Sequence, residues 1–418
     1  MGEYRIKGGN RLTGQINPGG AKNAVLPILA ATVLNGGKSE LHNVPRLTDT
    51  FIALDILRAL GCEAQFEDGV ITVDSSGINS TVVPIELVKK MRSSIIFLGS
   101  LLGRFGHVTI SFPGGCDLGL RSIDYHLKAM AKMGAKIEDK GGLLIFSAEK
   151  LTGSWIAFDT PSVGATQNVI LASALTQGET VISNAAREPE IVDLAVFLTK
   201  MGAKIRGAGT GMVIVEGVSR LSSAEHTVIP DRIVAGTYLC AAAMTSGEIT
   251  LTNVIPEHIY PIYTRLADGG CDIKEEKTRV HLRAPKKLKS LNQLTTQPHP
   301  GFPTDMQPQF MAMQCISEGS CVINETIFEA RNKHIQQLQR MGAAISHPAG
   351  GSATIVCGVE SLQGATVEAM DLRGGAALIL AGLCAEGETI VQNSEHIERG
   401  YDKIEKSLTT LGADIKLV

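Results

Sequence analysis

The residues best suited to chemistry lie in one short segment, at 112–121. Three glycines and a proline in these ten residues exclude a regular helix or strand and predict a loop. Cys116 lies in this loop among glycine and aspartate, and Arg121 ends it. Because a nearby cation stabilises a thiolate, the Cys116 thiol could act as an acid or a nucleophile. A surface cysteine without a function is the alternative, and spacing alone leaves it open.

Cations next to glycine recur elsewhere and indicate an anionic ligand. Lys22 and Asn23 follow a pair of glycines at the start of a helical pattern, where backbone N–H groups and an ammonium can hold an anion. Arg92 begins another apolar segment, and Arg373 and Arg399 each precede a glycine. A guanidinium binds a phosphate or a carboxylate through two parallel hydrogen bonds. One such arginine is more often an ordinary surface residue, but together they predict a strongly anionic small substrate.

The segment 299–305 contains two prolines and ends at Asp305. Such a rigid turn would hold a carboxylate at a fixed place, so Asp305 is a candidate general base. The alternative is a helix N-cap, for which threonine and aspartate are equally suited.

A glycine phrase repeats along the whole chain and defines the elements that must position these residues. Met-Gly-Ala-Lys-Ile at 133–137 returns at 201–205, and weaker copies complete a set of six. An apolar helical pattern precedes each glycine, and alternating strand patterns follow it. Chance recurrence is the alternative, which near-constant spacing disfavours. The pattern predicts six α/β units of about 70 residues, grouped in threes into two lobes with a ligand cleft. The central glycines are Gly61, Gly134, Gly202, Gly270, Gly342 and Gly412.

The composition is that of a globular protein with a full core, since 44% of the 418 residues are hydrophobic and 19% are charged. A net charge of −3 leaves no overall excess of positive charge that would indicate binding to nucleic acid or to an anionic membrane. Eight cysteines without C-x-x-C spacing and ten scattered histidines predict reduced thiols, no metal site and no disulfide framework. The first residues contain no apolar signal segment, so we expect a cytoplasmic protein.

Eight short motifs, in order, carry a resemblance to the UDP-N-acetylglucosamine enolpyruvyl transferases of the EPSP synthase superfamily. The motifs are GAKNA at 20–24, MRSS at 91–94, PGGC at 113–116, PSVGAT at 161–166, AREPEIVD at 186–193, PDR at 230–232, FPTDM at 302–306 and DLR at 371–373. The resemblance implies a two-domain inverse α/β prism with three repeats in each domain. One domain would span 22–229, and the other would combine 1–21 with 230–418.

The activity that this resemblance implies is transfer of the enolpyruvyl group of phosphoenolpyruvate to the 3′-hydroxyl of UDP-N-acetylglucosamine. Phosphate would leave through a tetrahedral ketal, in the first committed step of peptidoglycan synthesis. The implied partners are these two small molecules, without a cofactor, a nucleic acid or a membrane.

The same resemblance assigns roles to individual positions. Cys116 is expected to protonate the phosphoenolpyruvate methylene, Asp305 to act at the sugar hydroxyl, and Lys22 to take part in catalysis. The expected phosphoenolpyruvate contacts are Lys22, Asn23, Arg121 and Arg399. The expected UDP-N-acetylglucosamine contacts are Arg92, Arg121, Ser122, Ile123, Asp124, Tyr125, Ser162, Val163, Gly164, Asp305 and Ile327. Arg331, Asp371 and Arg373 are expected near the reacting centre.

Two other functions remain open at this point. The sister enzyme with the same donor uses shikimate 3-phosphate as acceptor, but the loop around Cys116 is typical of the sugar-nucleotide enzyme. A non-catalytic relative that binds UDP-sugar as a sensor is the second alternative, and loss of Cys116 or Asp305 would have indicated it.

Overall fold

The computed structural model describes residues 2–114, 123–348, 351 and 353–418. The described residues form two compact units. The first contains residues 2–19 and 230–418, and the second contains residues 20–114 and 123–229.

Both units are built from short strands and mostly short helices. The described strands are β1 (Glu3–Lys7), β2 (Thr13–Ile16), β3 (Lys38–His42), β4 (Glu63–Glu67), β5 (Val70–Asp74), β6 (His107–Ser111), β7 (Lys136–Lys140), β8 (Leu143–Ser147), β9 (Trp155–Ala157), β10 (Glu179–Ser183), β11 (Lys204–Arg206), β12 (Met212–Glu216), β13 (Ala224–Thr227), β14 (Glu248–Thr252), β15 (Asp272–Glu276), β16 (Arg279–Arg283), β17 (Gln293–Thr295), β18 (Ser320–Asn324), β19 (Ala344–Ser346), β20 (Ala353–Cys357), β21 (Thr366–Glu368), β22 (Glu388–Gln392) and β23 (Asp414–Leu417).

The described α-helices are α1 (Lys22–Ala31), α2 (Thr48–Ala59), α3 (Ile85–Lys90), α4 (Phe97–Phe105), α5 (Asp124–Lys132), α6 (Val163–Ser173), α7 (Pro189–Lys200), α8 (Arg232–Met244), α9 (Pro256–Asp268), α10 (Gln307–Gln314), α11 (His334–Arg340), α12 (Leu372–Cys384), α13 (Glu395–Glu398) and α14 (Ile404–Thr410). Three 3₁₀-helices accompany them: η1 (Thr32–Asn35), η2 (Arg92–Ile96) and η3 (Thr304–Met306).

Six small sheets share one plan, three in each unit. In the first unit their strand orders are β21-β22-β1-β23, β15-β16-β14-β2 and β17-β18-β20-β19. In the second unit the orders are β13-β3-β5-β4, β11-β12-β10-β9 and β6-β8-β7. Each four-stranded sheet has one parallel pair, as β14 with β2, and two antiparallel pairs. In the three-stranded sheet, a parallel bridge between Val82 and Thr109 lies where the fourth strand would pair. Five four-stranded sheets and one three-stranded sheet of the same plan, counted over the described residues, confirm the predicted six-repeat α/β fold.

The repeated glycines end helices as predicted. All six lie in the left-handed region, with φ between 90° and 103°. Residues with a Cβ resist this conformation, and glycine adopts it without steric cost. Each glycine therefore turns the chain from a helix into the following strand.

The sheets cover helices that are apolar nearly all round. Every residue of α8 is buried, and in α1 only Asn23 is not fully buried. Such a helix must lie inside a core, as predicted for the alanine-rich segments. In the first unit α8 packs on β14 and β16, α10 on β18 and β20, and α12 on β1 and β22. Each unit has its own hydrophobic core. None of the helices in the described part of the chain is long and apolar enough to cross a bilayer.

Candidate active site

In the first unit, Asp305 forms ion pairs with two buried arginines. Its Oδ1 accepts a hydrogen bond from Arg331 Nη1 at 2.9 Å. Its Oδ2 accepts from Arg373 Nε at 3.3 Å and from Nη2 at 3.1 Å. The two arginine side chains are only 4% and 3% exposed, whereas the Asp305 side chain is 24% exposed. The carboxylate is therefore the accessible part of a largely buried charge cluster.

Asp305 lies in η3, between the rigid turn and helix α10. Both carboxylate oxygens bind arginines, and neither η3 nor α10 has a side-chain N-cap. The N-cap interpretation of Asp305 is therefore wrong. The actual aspartate caps in this unit are Asp231 at α8 and Asp371 at α12.

A second carboxylate, that of Glu325, is linked to Arg331 through the hydroxyl of Thr304. Its Oε2 accepts from Thr304 Oγ1 at 2.9 Å, and Thr304 Oγ1 accepts from Arg331 Nη1 at 3.0 Å. Glu325 Oε1 accepts from the backbone N–H of Ile327 at 2.9 Å. Arg331 also lies over the Phe328 ring, 4.7 Å from its centroid. These contacts leave Arg331 little freedom and place the predicted sugar contact Ile327, 37% exposed, beside the cluster.

The start of α12 brings Asp371 and Arg373 to the same place. One oxygen of Asp371 accepts from the backbone N–H of Arg373 at 3.0 Å and of Gly374 at 2.9 Å. This cap satisfies free N–H groups at the helix start. His334, which is 1% exposed, packs close to Gly374. Burial, together with Arg331, lowers the pKa of His334 to about 4 even though Asp371 raises it.

The charges of the cluster depend on each other. Burial raises the pKa of Asp305, but Arg373 and Arg331 outweigh it and hold that pKa far below its ordinary value. Burial by itself lowers the pKa of Arg373, but Tyr401, Asp305 and Asp231 raise it. The net effect is a pKa above the ordinary value. The pair is therefore fully ionised at neutral pH. Arg399, the remaining predicted cation of this unit, is half-buried at the end of α13.

In the second unit, Lys22 is the first residue of α1 and is buried. Its Nζ lies 2.7 Å from Asp49 Oδ2, and the two side chains are 10% and 1% exposed. Asn23 follows on the same helix turn and is half-buried. Arg92 begins η2, also half-buried. Asp49 anchors the ammonium, and sequence reasoning missed it because an acid in the first turn of a helix is common.

The predicted sugar-nucleotide contacts of this unit lie at the starts of α5 and α6. Ser162 Oγ caps α6 by accepting from the Ala165 N–H at 3.4 Å, and Val163 and Gly164 form the first turn. A Cβ on Gly164 would lie 3.3 Å from the His126 ring, so only glycine allows this close approach without a shift. His126 Nδ1 lies 2.7 Å from Asn168 Nδ2. This contact joins α5 to α6 in the core.

Asp124 and Tyr125 begin α5, and Ile123 precedes the helix. Ile123 is buried, Asp124 is exposed, and Tyr125 stacks at a tilt on Phe158 with ring centroids 5.3 Å apart. The Tyr125 hydroxyl lies 3.1 Å from Thr160 Oγ1. Three further predicted site residues, Cys116, Arg121 and Ser122, lie outside the described residues.

The structure thus groups the predicted residues within each unit. Asp305, Arg331 and Arg373 contact one another directly, and Asp371 lies two residues from Arg373 on the same helix start. Sequence reasoning missed the supporting residues Glu325, Thr304 and His334, because nothing in their local sequence predicts contact with a distant arginine.

The fold and the comparisons with known proteins define the class of protein, an α/β transferase with small-molecule substrates. A family model described as EPSP synthase (3-phosphoshikimate 1-carboxyvinyltransferase) matches residues 6–408. The UDP-N-acetylglucosamine 1-carboxyvinyltransferase 2 of Caldanaerobacter subterraneus subsp. tengcongensis is 48% identical over 415 residues, which cover 99% of each chain. The UDP-N-acetylglucosamine 1-carboxyvinyltransferase of Myxococcus xanthus is 45% identical and covers 100% of this chain and 99% of its own.

Solved structures show the same fold. The enolpyruvyl transferase NikO from Streptomyces tendae superposes with a TM-score of 0.89 at 25% identity, over 100% of this chain and 99% of that one. An EPSP synthase from Acinetobacter baumannii has a TM-score of 0.77 at 17% identity, over 100% of both chains, and shows the fold alone. The chain belongs to the EPSP synthase family.

Proposed function

We propose that this protein transfers the enolpyruvyl group of phosphoenolpyruvate to the 3′-hydroxyl of UDP-N-acetylglucosamine and releases phosphate. Full-length relatives that carry the corresponding name support the acceptor, with identities of 45–48%. The arginine–carboxylate cluster around Asp305 is the observation on which the proposal rests. Its buried cations suit a donor with about three negative charges.

The residues expected to act in this reaction come from both units of the chain. The second unit carries Lys22 and Asn23, and the first carries Asp305, Arg373 and Arg399. Cys116 would donate a proton to the methylene carbon of phosphoenolpyruvate while the sugar oxygen bonds to the adjacent carbon. The proton of the sugar hydroxyl leaves to a separate base. Loss of phosphate from the ketal, with return of a proton from the methyl carbon, would then give the enol ether.

The low pKa of Asp305 refines its role. A carboxylate held by two arginines is a weak proton acceptor, because proton transfer follows the pKa of the acceptor. An anionic donor that binds Arg373 or Arg331 would compete with Asp305 for their N–H groups. The pKa of Asp305 would then rise toward its ordinary value, and a free oxygen could accept the hydroxyl proton. We therefore propose that donor binding activates Asp305 as the base.

The remaining expectations belong to the same proposal. The two compact units would be the two domains, with boundaries near 22 and 230. Arg121, Arg399, Lys22 and Asn23 would bind the donor, and Arg331 and Arg373 would add contacts near the reacting centre. The acceptor would contact Arg92, residues 122–125 and 162–164, Asp305 and Ile327. The protein would work in the cytoplasm on these two small molecules, without a cofactor, a metal, a nucleic acid or a membrane, in the first committed step of peptidoglycan synthesis.

A phosphate-release assay tests this function. Purified protein is given phosphoenolpyruvate with UDP-N-acetylglucosamine, with shikimate 3-phosphate or with no acceptor. Phosphate release with the sugar nucleotide alone is expected. Release only with shikimate 3-phosphate would assign the chain to the sister activity. Binding of UDP-N-acetylglucosamine by calorimetry without any phosphate release would indicate a non-catalytic sensor.

A further inference from the structure

Arg373 lies against a buried tyrosine that the proposed chemistry does not use. The guanidinium carbon is 5.5 Å from the centroid of the Tyr401 ring, on the ring face. Tyr401 is 1% exposed and Arg373 is 3% exposed, so water does not screen the contact. A guanidinium over an aromatic face is attracted by the ring quadrupole, most strongly where both are desolvated. The ring therefore supports the face of the guanidinium, and its edge remains available to Asp305.

The hydroxyl of Tyr401 is held by two core side chains. It lies 2.9 Å from Thr237 Oγ1 and 3.3 Å from Gln309 Nε2. Thr237 uses its own proton on the carbonyl of Ile233, at 2.8 Å, so it accepts the hydrogen bond from the tyrosine. Gln309 Nε2 donates to both oxygens. Because Thr237 and Gln309 are fully buried in α8 and α10, the ring is tied to two core helices.

The backbone before Tyr401 is fixed as well. The N–H groups of Gly400 and Tyr401 both donate to the carbonyl of Ile397, at 3.0 and 3.1 Å. A Cβ on Gly400 would lie 2.7 Å from a methyl of Leu372, the residue before Arg373. The backbone just after α13 therefore packs closely against the start of α12, and Gly400 leaves the space for this contact. The same packing fixes the backbone on which Tyr401 is carried.

We propose that Tyr401 is a positioning residue, which sets the angle at which Arg373 meets Asp305. Arg373 Nε and Nη2 reach the same carboxylate oxygen at 3.3 and 3.1 Å, an arrangement that a tilt of the guanidinium would break. Tyr401 itself acts only through Arg373. The inference rests on the proposed function, because its measurable consequence is the turnover of that reaction.

The test compares two variants of Tyr401 with a matched control. Tyr401→Phe keeps the ring and removes the hydroxyl, and Tyr401→Leu removes the aromatic face. The control, Tyr263→Phe, removes the hydroxyl of another buried tyrosine of the same unit, which donates to Glu275. We expect kcat to fall about three- to tenfold in Tyr401→Phe, the usual range for one lost hydrogen bond, and further in Tyr401→Leu. The Kd for UDP-N-acetylglucosamine should change less than about twofold.

The outcomes separate this inference from the proposed function. A wild-type protein without turnover contradicts the function itself. An active wild type whose Tyr401→Phe variant keeps full kcat refutes the positioning role, even if its melting temperature falls as in Tyr263→Phe. Equal losses of kcat in Tyr401→Phe and Tyr263→Phe would also refute it, because they would show a general effect of core damage. If Tyr401→Leu does not fold, the comparison of the two phenylalanine variants still decides.

Discussion

Replacing Asp305 by asparagine tests the charge cluster most directly. The substitution keeps the shape of the side chain and removes the only negative charge that Arg331 and Arg373 share in the described part of the chain. Removing one partner of a buried ion pair typically costs 3–5 kcal/mol, and the partial exposure of Asp305 brings the expectation to about 3 kcal/mol. For a unit of this size, that loss lowers the melting temperature by about 6–12 °C. Differential scanning fluorimetry at pH 7 measures it.

The same variant gives a pH test with a defined sign. The ordinary pKa of an aspartate is 3.8, and the folded-state pKa of Asp305 lies far below it. A group with a lowered folded-state pKa stabilises the protein fully above the unfolded value, and this stability is lost as the pH falls below it. The difference in melting temperature between the wild type and Asp305→Asn should therefore be the same at pH 7 and pH 5. It should become smaller toward pH 3.

The control for this experiment is an aspartate–arginine pair of similar length on the surface. Asp268 Oδ2 accepts from Arg265 Nη1 at 2.8 Å, and the two side chains are 55% and 49% exposed. Because exposed pairs contribute about 0–1 kcal/mol, Asp268→Asn should barely change the melting temperature. The reasoning fails if Asp305→Asn is as stable as Asp268→Asn, or if its deficit is as large at pH 3 as at pH 7.

Three further predictions concern Cys116, Lys22 and His126. Fosfomycin, an epoxide mimic of phosphoenolpyruvate, should add its mass to the peptide of Cys116 and not to that of the exposed Cys357. The Cys116→Ser variant should lose most turnover but still bind the sugar nucleotide. Full activity of this variant would contradict the role of Cys116 as an acid. Lys22→Gln should lower kcat/KM for phosphoenolpyruvate at least about a hundredfold, whereas the exposed Lys38→Gln should not; equal values would exclude a donor contact. Burial, with a smaller effect of a nearby arginine, lowers the pKa of His126 to about 4, so its stabilising effect is complete above about pH 6.5 and is lost as the pH falls toward 4. His126→Gln should therefore flatten the fall in melting temperature between pH 7 and 4.5, and an unchanged slope would refute the assignment.

The repeat architecture could be predicted from the sequence because its causes are local. A glycine such as Gly202 ends a helix through a backbone conformation that depends on that residue alone. A helix such as α8 is apolar nearly all round, and this pattern predicts that it is buried, whichever elements cover it. The family could likewise be identified from the sequence, because each of its motifs is a short run of consecutive residues.

The charge cluster could not be predicted in this way, because its contacts join distant parts of the chain. Arg331 and Arg373 lie 26 and 68 positions from Asp305, and the Tyr401 hydroxyl lies 164 positions from its Thr237 partner. Any of the arginines near glycine could have been the partner on sequence grounds alone. The packing of α12 against α10 and α11 brings the correct side chains within hydrogen-bond distance.

The sequence by itself therefore determined which elements form, where the helices end, and which residue types are available for chemistry. The tertiary structure alone decided that Asp305 is held by two arginines and does not cap a helix. The physical reason is that a hydrogen bond forms over about 3 Å, and only the complete core fixes helices to that precision.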